Sequence, residues 1–254
     1  MSSEIMVECE AEIAQSSLDY KMPLGARQDN SSNKLFNEKL YRLYDNRWIN
    51  LLDLGCSGGA FVREVIDDGH NAVGLEGSDY SKRHHRGAWR DIPDFLFTCD
   101  VTKPFSIYTY SPKRLMSFDV VTAWEFMEHI EKRDIEPLIN NVVRHMSPDG
   151  MWIMSISSVP SISNGVDLHR TQEPKKWWIK KFAEFGLIYV DDYVKYFNTQ
   201  FVRGKYETPE DFHLVVCKDP ALLPKIKTKV RLARWLYDRW VGSSLQNFIV
   251  GNIK

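Results

Sequence analysis

Leu51-Leu52-Asp53-Leu54-Gly55-Cys56-Ser57-Gly58-Gly59 decides how this chain is read. Two leucines lead to an aspartate and then to a turn of small residues. Ala60-Phe61-Val62-Arg63-Glu64-Val65-Ile66 follows directly and reads as a helix. Such a strand, turn and helix start lets a ligand come close to backbone N–H groups, because glycine has no Cβ in the way. Further on, Glu76 closes a second apolar run, Ala72-Val73-Gly74-Leu75. A carboxylate there is placed to accept hydrogen bonds from two ribose hydroxyls. Together they predict a nucleoside-cofactor site.

Strands and helices alternate outward from this stretch. The patterning predicts strands at 49–54, 71–76, 95–98, 118–123 and 151–157, and helices at 59–68, 80–88, 132–146 and 174–185. Ser147-Pro148-Asp149-Gly150 reads as a turn before the fifth strand. The alternation implies a parallel, doubly wound sheet. Beyond Gly186, residues 187–196 and 212–218 read as two strands joined by a long loop without a helix, pairing antiparallel. Residues 1–32 are polar and rich in turn formers. Phe36, Leu40, Leu43 and Tyr44 then predict a leading helix at 33–44, capped by Ser32 or Asn33. A last helix at 224–241 carries Lys225, Lys227, Lys229, Arg231, Arg234 and Arg239 around an apolar stripe. The expected division is an N-terminal segment with its leading helix (1–47), a cofactor-binding α/β domain (48–219) and a C-terminal basic amphipathic helix (220–254).

Lys+Arg 33 against Asp+Glu 34 gives a net charge of −1, so nothing points to nucleic acid or an anionic membrane as partner. Hydrophobic content of 43% supplies an ordinary globular core. Cys9, Cys56, Cys99 and Cys217 form no CxxC pair and read as reduced thiols. The polar start Met1-Ser2-Ser3-Glu4 is not a signal peptide, and no apolar run approaches the roughly 20 residues of a membrane span. A cytoplasmic location, as monomer or homodimer, is expected.

The arrangement resembles the class I S-adenosylmethionine-dependent methyltransferases over about residues 48–218. Their first motif, D-x-G-x-G-x-G, falls on Asp53, Gly55, Ser57 and Gly59, with serine in place of the middle glycine. That substitution is expected to be tolerable if the position avoids φ > 0. The resemblance implies a Rossmann-like sheet of about seven strands, mostly parallel with an antiparallel last strand, plus the N- and C-terminal helical additions. It implies S-adenosyl-L-methionine as cofactor, with Asp53, Gly55, Cys56, Ser57, Gly58 and Gly59 at the turn. Glu76, Gly77 and Ser78 would serve the ribose, Asp100 and Val101 the adenine, and Trp124 and Glu125 the adenine or methyl side. A nicotinamide dinucleotide is the alternative cofactor, of an NAD(P)-dependent oxidoreductase. Its G-x-G-x-x-G fingerprint falls on Gly55, Ser57 and Ala60 and fits only in part.

Trp124-Glu125-Phe126-Met127-Glu128-His129-Ile130 follows the fourth strand. If helical, Glu125, Glu128 and His129 share one face. The stretch resembles the E-x-x-E-H pattern of ubiquinone-biosynthesis-like O-methyltransferases and small-RNA 2′-O-methyltransferases, some of which use it to bind a divalent ion. With His169 the residues would suffice for a metal only if the loop folded back, so a metal is not favoured. A histidine can instead serve as general base without one. Catalytic candidates are therefore His129, His169 and Glu125. Trp177 or Trp178 could line an acceptor pocket, and the basic run Ser81–Arg86 with Arg90 reads as a solvated helix face. The resemblance thus implies methyl transfer to a small-molecule or saccharide acceptor, at oxygen. A catalytically silent module of the same fold is the remaining alternative.

Overall fold

Strand β2 (Asn50–Leu54) runs through the middle of a seven-stranded sheet in the computed structural model of the protein, which describes residues 5–18, 20–23, 31–198, 200–203 and 211–227. Four of its five residues are buried, as a strand covered on both faces requires. On one side lie β3 (Asn71–Glu76) and β4 (Leu96–Thr98). On the other lie β7 (Phe118–Trp124), β8 (Met146–Ile156), β12 (Phe212–Cys217) and β11 (Ile188–Tyr189). The order is β4-β3-β2-β7-β8-β12-β11. The first five pair in parallel, and β12 alone runs against the others. The mostly parallel sheet with a reversed last strand is the predicted one.

Residues alternate between the two faces of the sheet. Leu52, Val73, Val121, Trp152 and Met154 share one core with helices α4 (Ile135–His145) and α5 (Lys175–Ala183). Leu51, Ala72, Val120 and Ile153 share the other with α1 (Lys34–Leu43), α2 (Ala60–Asp67) and α6 (Asp191–Phe197). Helix α1 begins as its sequence predicts. The Asn33 side chain accepts from the N–H groups of Leu35 and Phe36, and Phe36 and Leu40 are fully buried.

Several elements differ from the sequence reading. Residues 187–196 are not one strand: β11 holds two residues, and α6 begins at Asp191. The β-branched and aromatic content of Tyr193, Val194, Tyr196 and Phe197 suggested a strand. However, Tyr193 and Phe197 lie one turn apart and are the two that bury, with Asp191 and Asp192 at the favourable N-terminus. The helix expected at 80–88 is only α3 (Tyr80–Arg83), because His85 and Gly87 take positive φ, and a single 3-10 turn follows at Gly87–Arg90. Helix 132–146 starts as a 3-10 turn at Lys132–Asp134 before α4. The turn at 147–150 lies inside β8. Phe118 pairs with Met146 and Val120 with Met151, so these four residues bulge opposite Asp119 alone.

The polar N-terminus holds β1 (Ile5–Cys9), which pairs antiparallel with β5 (Phe105–Thr109), itself paired with β6 (Arg114–Leu115). A small hairpin, β9 (Ile162–Ser163) and β10 (Val166–Asp167), follows β8. The predicted last helix lies outside the described residues except for 224–227, which form no regular element. Among the described residues no helix is long and apolar enough to cross a membrane.

Two histidines tie fold stability to pH. His145 is fully buried, donates from Nδ1 to the Asn141 carbonyl and accepts at Nε2 from the Ile107 N–H. Burial pushes its pKa below the ordinary value, as it does for His213. The unfolded chain binds protons at these positions that the folded chain rejects, so their contribution to stability falls as pH drops below about 6.5. Buried carboxyls act in the opposite sense, so the His145 share is read as a difference between two proteins. The Tm of His145→Gln relative to the unaltered protein should rise by about 2–4 °C between pH 7.5 and 5, for a share of about 1 kcal/mol. A Tm difference that does not change with pH contradicts the account.

Candidate active site

The site forms where the chain, having built β2, β3 and β4, crosses back to β7. In such sheets ligands bind at the carboxyl ends of the strands flanking this switch point. The turn after β2 folds onto the end of β3, with the Gly55 and Cys56 N–H groups donating to the Leu75 carbonyl at 2.8 and 3.1 Å. Gly55 has φ 69°, and a Cβ there would lie 2.6 Å from Phe126 Cδ2. Gly59 has φ 78° and precedes α2, where a Cβ would meet Leu96 Cδ1 at 2.6 Å. Its role is to let turn, helix and sheet pack closely.

Ser57 corrects the sequence reading. Its φ is 49°, so serine occupies the left-handed region it was expected to avoid. Such a residue is uncommon and costs about 1–2 kcal/mol unless its surroundings hold it. Two contacts do so. Its N–H donates to Glu76 Oε2 at 2.9 Å, and its carbonyl accepts from Trp89 Nε1 at 2.8 Å. Glu76 Oε1 accepts from the Ser78 N–H at 3.1 Å, so this one carboxylate ties two loops together.

A cavity of about 1050 Å³ opens over these strand ends, large enough for a nucleoside cofactor and an acceptor together. Of the expected cofactor residues, Gly55, Ser57, Glu76, Gly77, Ser78, Asp100, Val101, Trp124 and Glu125 line it. Asp53, Cys56, Gly58 and Gly59 do not. Asp53 is buried beneath the turn, with Oδ1 accepting from Thr122 Oγ1 at 2.6 Å. Cys56 turns its thiol towards Gly74, and burial holds that thiol protonated. Asp100 Oδ1 accepts from the N–H and hydroxyl of Thr102. Trp124 Nε1 and Glu125 Oε1 are buried and make no hydrogen bond among the described residues. Polar atoms left this way in a cavity wall fit a polar ligand.

His129 and His169 both line the cavity, ring centroids 4.9 Å apart and perpendicular. The chain between them explains the approach. The Glu128 carbonyl accepts from the Arg170 and Thr171 N–H groups, and Glu128 Oε1 from Ser157 N–H. The predicted single face for Glu125, Glu128 and His129 does not exist. Glu125 has φ 48°, and Met127–His129 is a 3-10 turn, so Glu128 is fully buried while Glu125 reaches the cavity wall. Burial, the neighbouring Asp211 carboxyl and the nearby Glu128 charge push Glu125 well above the ordinary carboxylate range, and burial does the same to Glu128. Among the described residues no group of three or more His, Cys, Asp or Glu is arranged to hold a metal.

Neither Trp177 nor Trp178 lines the cavity. Trp178 is fully buried against Phe182, and Trp177 lies beneath the Lys132 and Lys181 ammonium groups. The basic run stays at the surface, with Arg83 paired to Asp79 and Arg90 to Asp91. The sequence reading missed the N-terminal stretch, of which Ala14, Ser17 and Tyr20 line the cavity. The Ala14 N–H donates to the Gly77 carbonyl, and Ser78 Oγ to that of Tyr20. It also missed Asp211, although the reversed direction of the last strand places that strand's start at this edge.

A family model described as a methyltransferase domain matches residues 26–196, more than half of the chain. This chain belongs to the class I S-adenosylmethionine-dependent methyltransferases. The ubiquinone biosynthesis O-methyltransferase of Rickettsia conorii is 25% identical over 148 residues, 57% of this methyltransferase and 43% of the relative. The chain therefore spans under half the length of that curated relative. Among solved structures, a TehB-like S-adenosylmethionine-dependent methyltransferase from Corynebacterium glutamicum is 18% identical, with TM-score 0.45, covering 71% of this chain and 88% of that one. The magnesium protoporphyrin IX methyltransferase of Synechocystis, with bound S-adenosylmethionine, is 11% identical, with TM-score 0.48, covering 73% and 78%. The family match and the strand order, with β12 reversed, set the dinucleotide alternative aside.

Proposed function

We propose that this methyltransferase moves a methyl group from S-adenosylmethionine to a hydroxyl oxygen of a small-molecule or saccharide acceptor. Glu76 would accept the ribose hydroxyls, Asp100 and Val101 would serve the adenine, and Gly55 and Ser57 would offer backbone at the turn. Trp124 and Glu125 would close the side nearest the methyl. Bound there, the cofactor supplies an electrophilic methyl on a sulfonium. Ala14, Ser17 and Tyr20 would lie beside the adenosine end, so the segment 1–47 and the domain 48–219 would build one site.

The observation that carries the reading is the state of His169. Its Nδ1 lies on the Val159 carbonyl, which can only accept, so Nδ1 carries the proton. A neutral ring then keeps its lone pair on Nε2. Asp167 fixes the loop by accepting the His169 and Ser161 N–H groups at 3.0 Å each. His169 Nε2 would take the hydroxyl proton as the oxygen attacks, while His129, perpendicular to it, would help position the acceptor. The oxygen preference is supported by the curated relative, an O-methyltransferase by name.

Incubation with S-adenosylmethionine and a panel of hydroxylated small molecules and sugars, read by mass spectrometry, tests this. Some acceptor should gain one methyl group, and periodate-resistant or aryl-ether fragments should place it on oxygen. Methylation confined to nitrogen or carbon acceptors would contradict the oxygen assignment.

A further inference from the structure

The 3-10 turn Gly87–Arg90 lies outside every motif that points to the cofactor, yet it supports the cofactor turn from beneath. The Ala88 N–H donates to the Gly58 carbonyl at 2.8 Å, and Trp89 Nε1 donates to the Ser57 carbonyl at 2.8 Å. Trp89 is 3% exposed, packs in the core with Phe61 and Leu96, and does not line the cavity. Its ring is therefore fixed by packing, and its N–H is aimed at one carbonyl.

That carbonyl belongs to a residue in a conformation it would otherwise leave. Ser57 stands where the family motif has glycine, with φ 49°. A β-carbon in the left-handed region crowds the following carbonyl, so a serine relaxes towards negative φ unless both its peptide groups are restrained. Glu76 restrains the N–H side and Trp89 the carbonyl side. A relaxed Ser57 would turn the N–H groups of the turn away from their present directions. It would also release one of the two ties on Glu76.

We infer that Trp89 is a positioning residue of the cofactor site, its indole N–H holding Ser57 in the left-handed conformation that shapes the turn. This rests on the S-adenosylmethionine reading above.

The test is calorimetric titration of Trp89→Phe, Ser57→Gly and the double variant with S-adenosylhomocysteine, alongside hydrogen exchange of peptides spanning 55–59. Trp89→Phe should bind about three- to tenfold more weakly, the effect of one lost hydrogen bond, and its turn should exchange faster. Glycine takes φ > 0 unaided, so the double variant should bind within about twofold of Ser57→Gly alone. Unchanged affinity in Trp89→Phe, or a double variant as weak as Trp89→Phe, overturns the inference, because lost ring packing would not be rescued at position 57. Should Trp89→Phe not fold, benzothienylalanine at position 89 keeps the bicyclic ring and removes the N–H, with the same expectations. If the unaltered protein binds no S-adenosylhomocysteine, the cofactor reading fails. Hydrogen exchange then decides the clamp, and an unchanged rate at 55–59 overturns it.

Discussion

Glu76→Ala should weaken S-adenosylhomocysteine binding by about two orders of magnitude. Glu76 closes β3 in the cavity wall and accepts the Ser57 and Ser78 N–H groups on its two oxygens. A carboxylate there is also placed to accept from the ribose hydroxyls. Hydrogen bonds to charged groups contribute about 1.5–3 kcal/mol each, and the carboxylate is partly exposed, which lowers the net value. Two of them still amount to about 3 kcal/mol, or roughly a hundredfold in Kd. Glu76→Gln should lose about tenfold: its amide oxygen can replace one acceptor, but its NH₂ group faces an N–H it cannot satisfy. Titration calorimetry of the three proteins reads the series. Equal affinity in all three would remove Glu76 from the cofactor site.

The second large effect is on turnover. His169→Ala should lower kcat by about 10²–10⁴-fold, the usual contribution of a positioned base, while S-adenosylhomocysteine affinity stays within about twofold. His169 is held by the Val159 carbonyl through Nδ1 and by Asp167 through its own N–H. Asp167→Asn should therefore retain the histidine with less order and fall between the two. A His169→Ala enzyme with full kcat would leave His129 or positioning alone as the source of rate.

How far the sequence told this depends on the physical range of each signal. The Asp53–Gly59 turn, Glu76 and the alternating elements are local patterns. They predicted the parallel sheet, its reversed last strand and nine of the expected cofactor residues that line the cavity. Where the reading failed, a longer-range contact decided. Asp53 and Cys56 carry the motif yet point into the core, towards Thr122 and Gly74. Strand β1 pairs with a partner about a hundred residues away, and its five residues showed too little periodicity to stand out in a polar segment. Glu125 and His129 looked like one helical face, but the positive φ at Glu125 breaks that geometry. Ser57 is the sharpest case: serine at a glycine position suggested a relaxed backbone, whereas the fold keeps the glycine conformation and restrains the serine with Glu76 and Trp89.

The central claim is that the turn at Gly55–Gly59 and the cavity above it hold a methyl donor and not a dinucleotide. Calorimetric titration of the unaltered protein with S-adenosylhomocysteine and, separately, with NADH tests it most directly. Saturable one-site binding of S-adenosylhomocysteine with no binding heat from NADH is the expected result. Saturable binding of NADH with none of S-adenosylhomocysteine would contradict it.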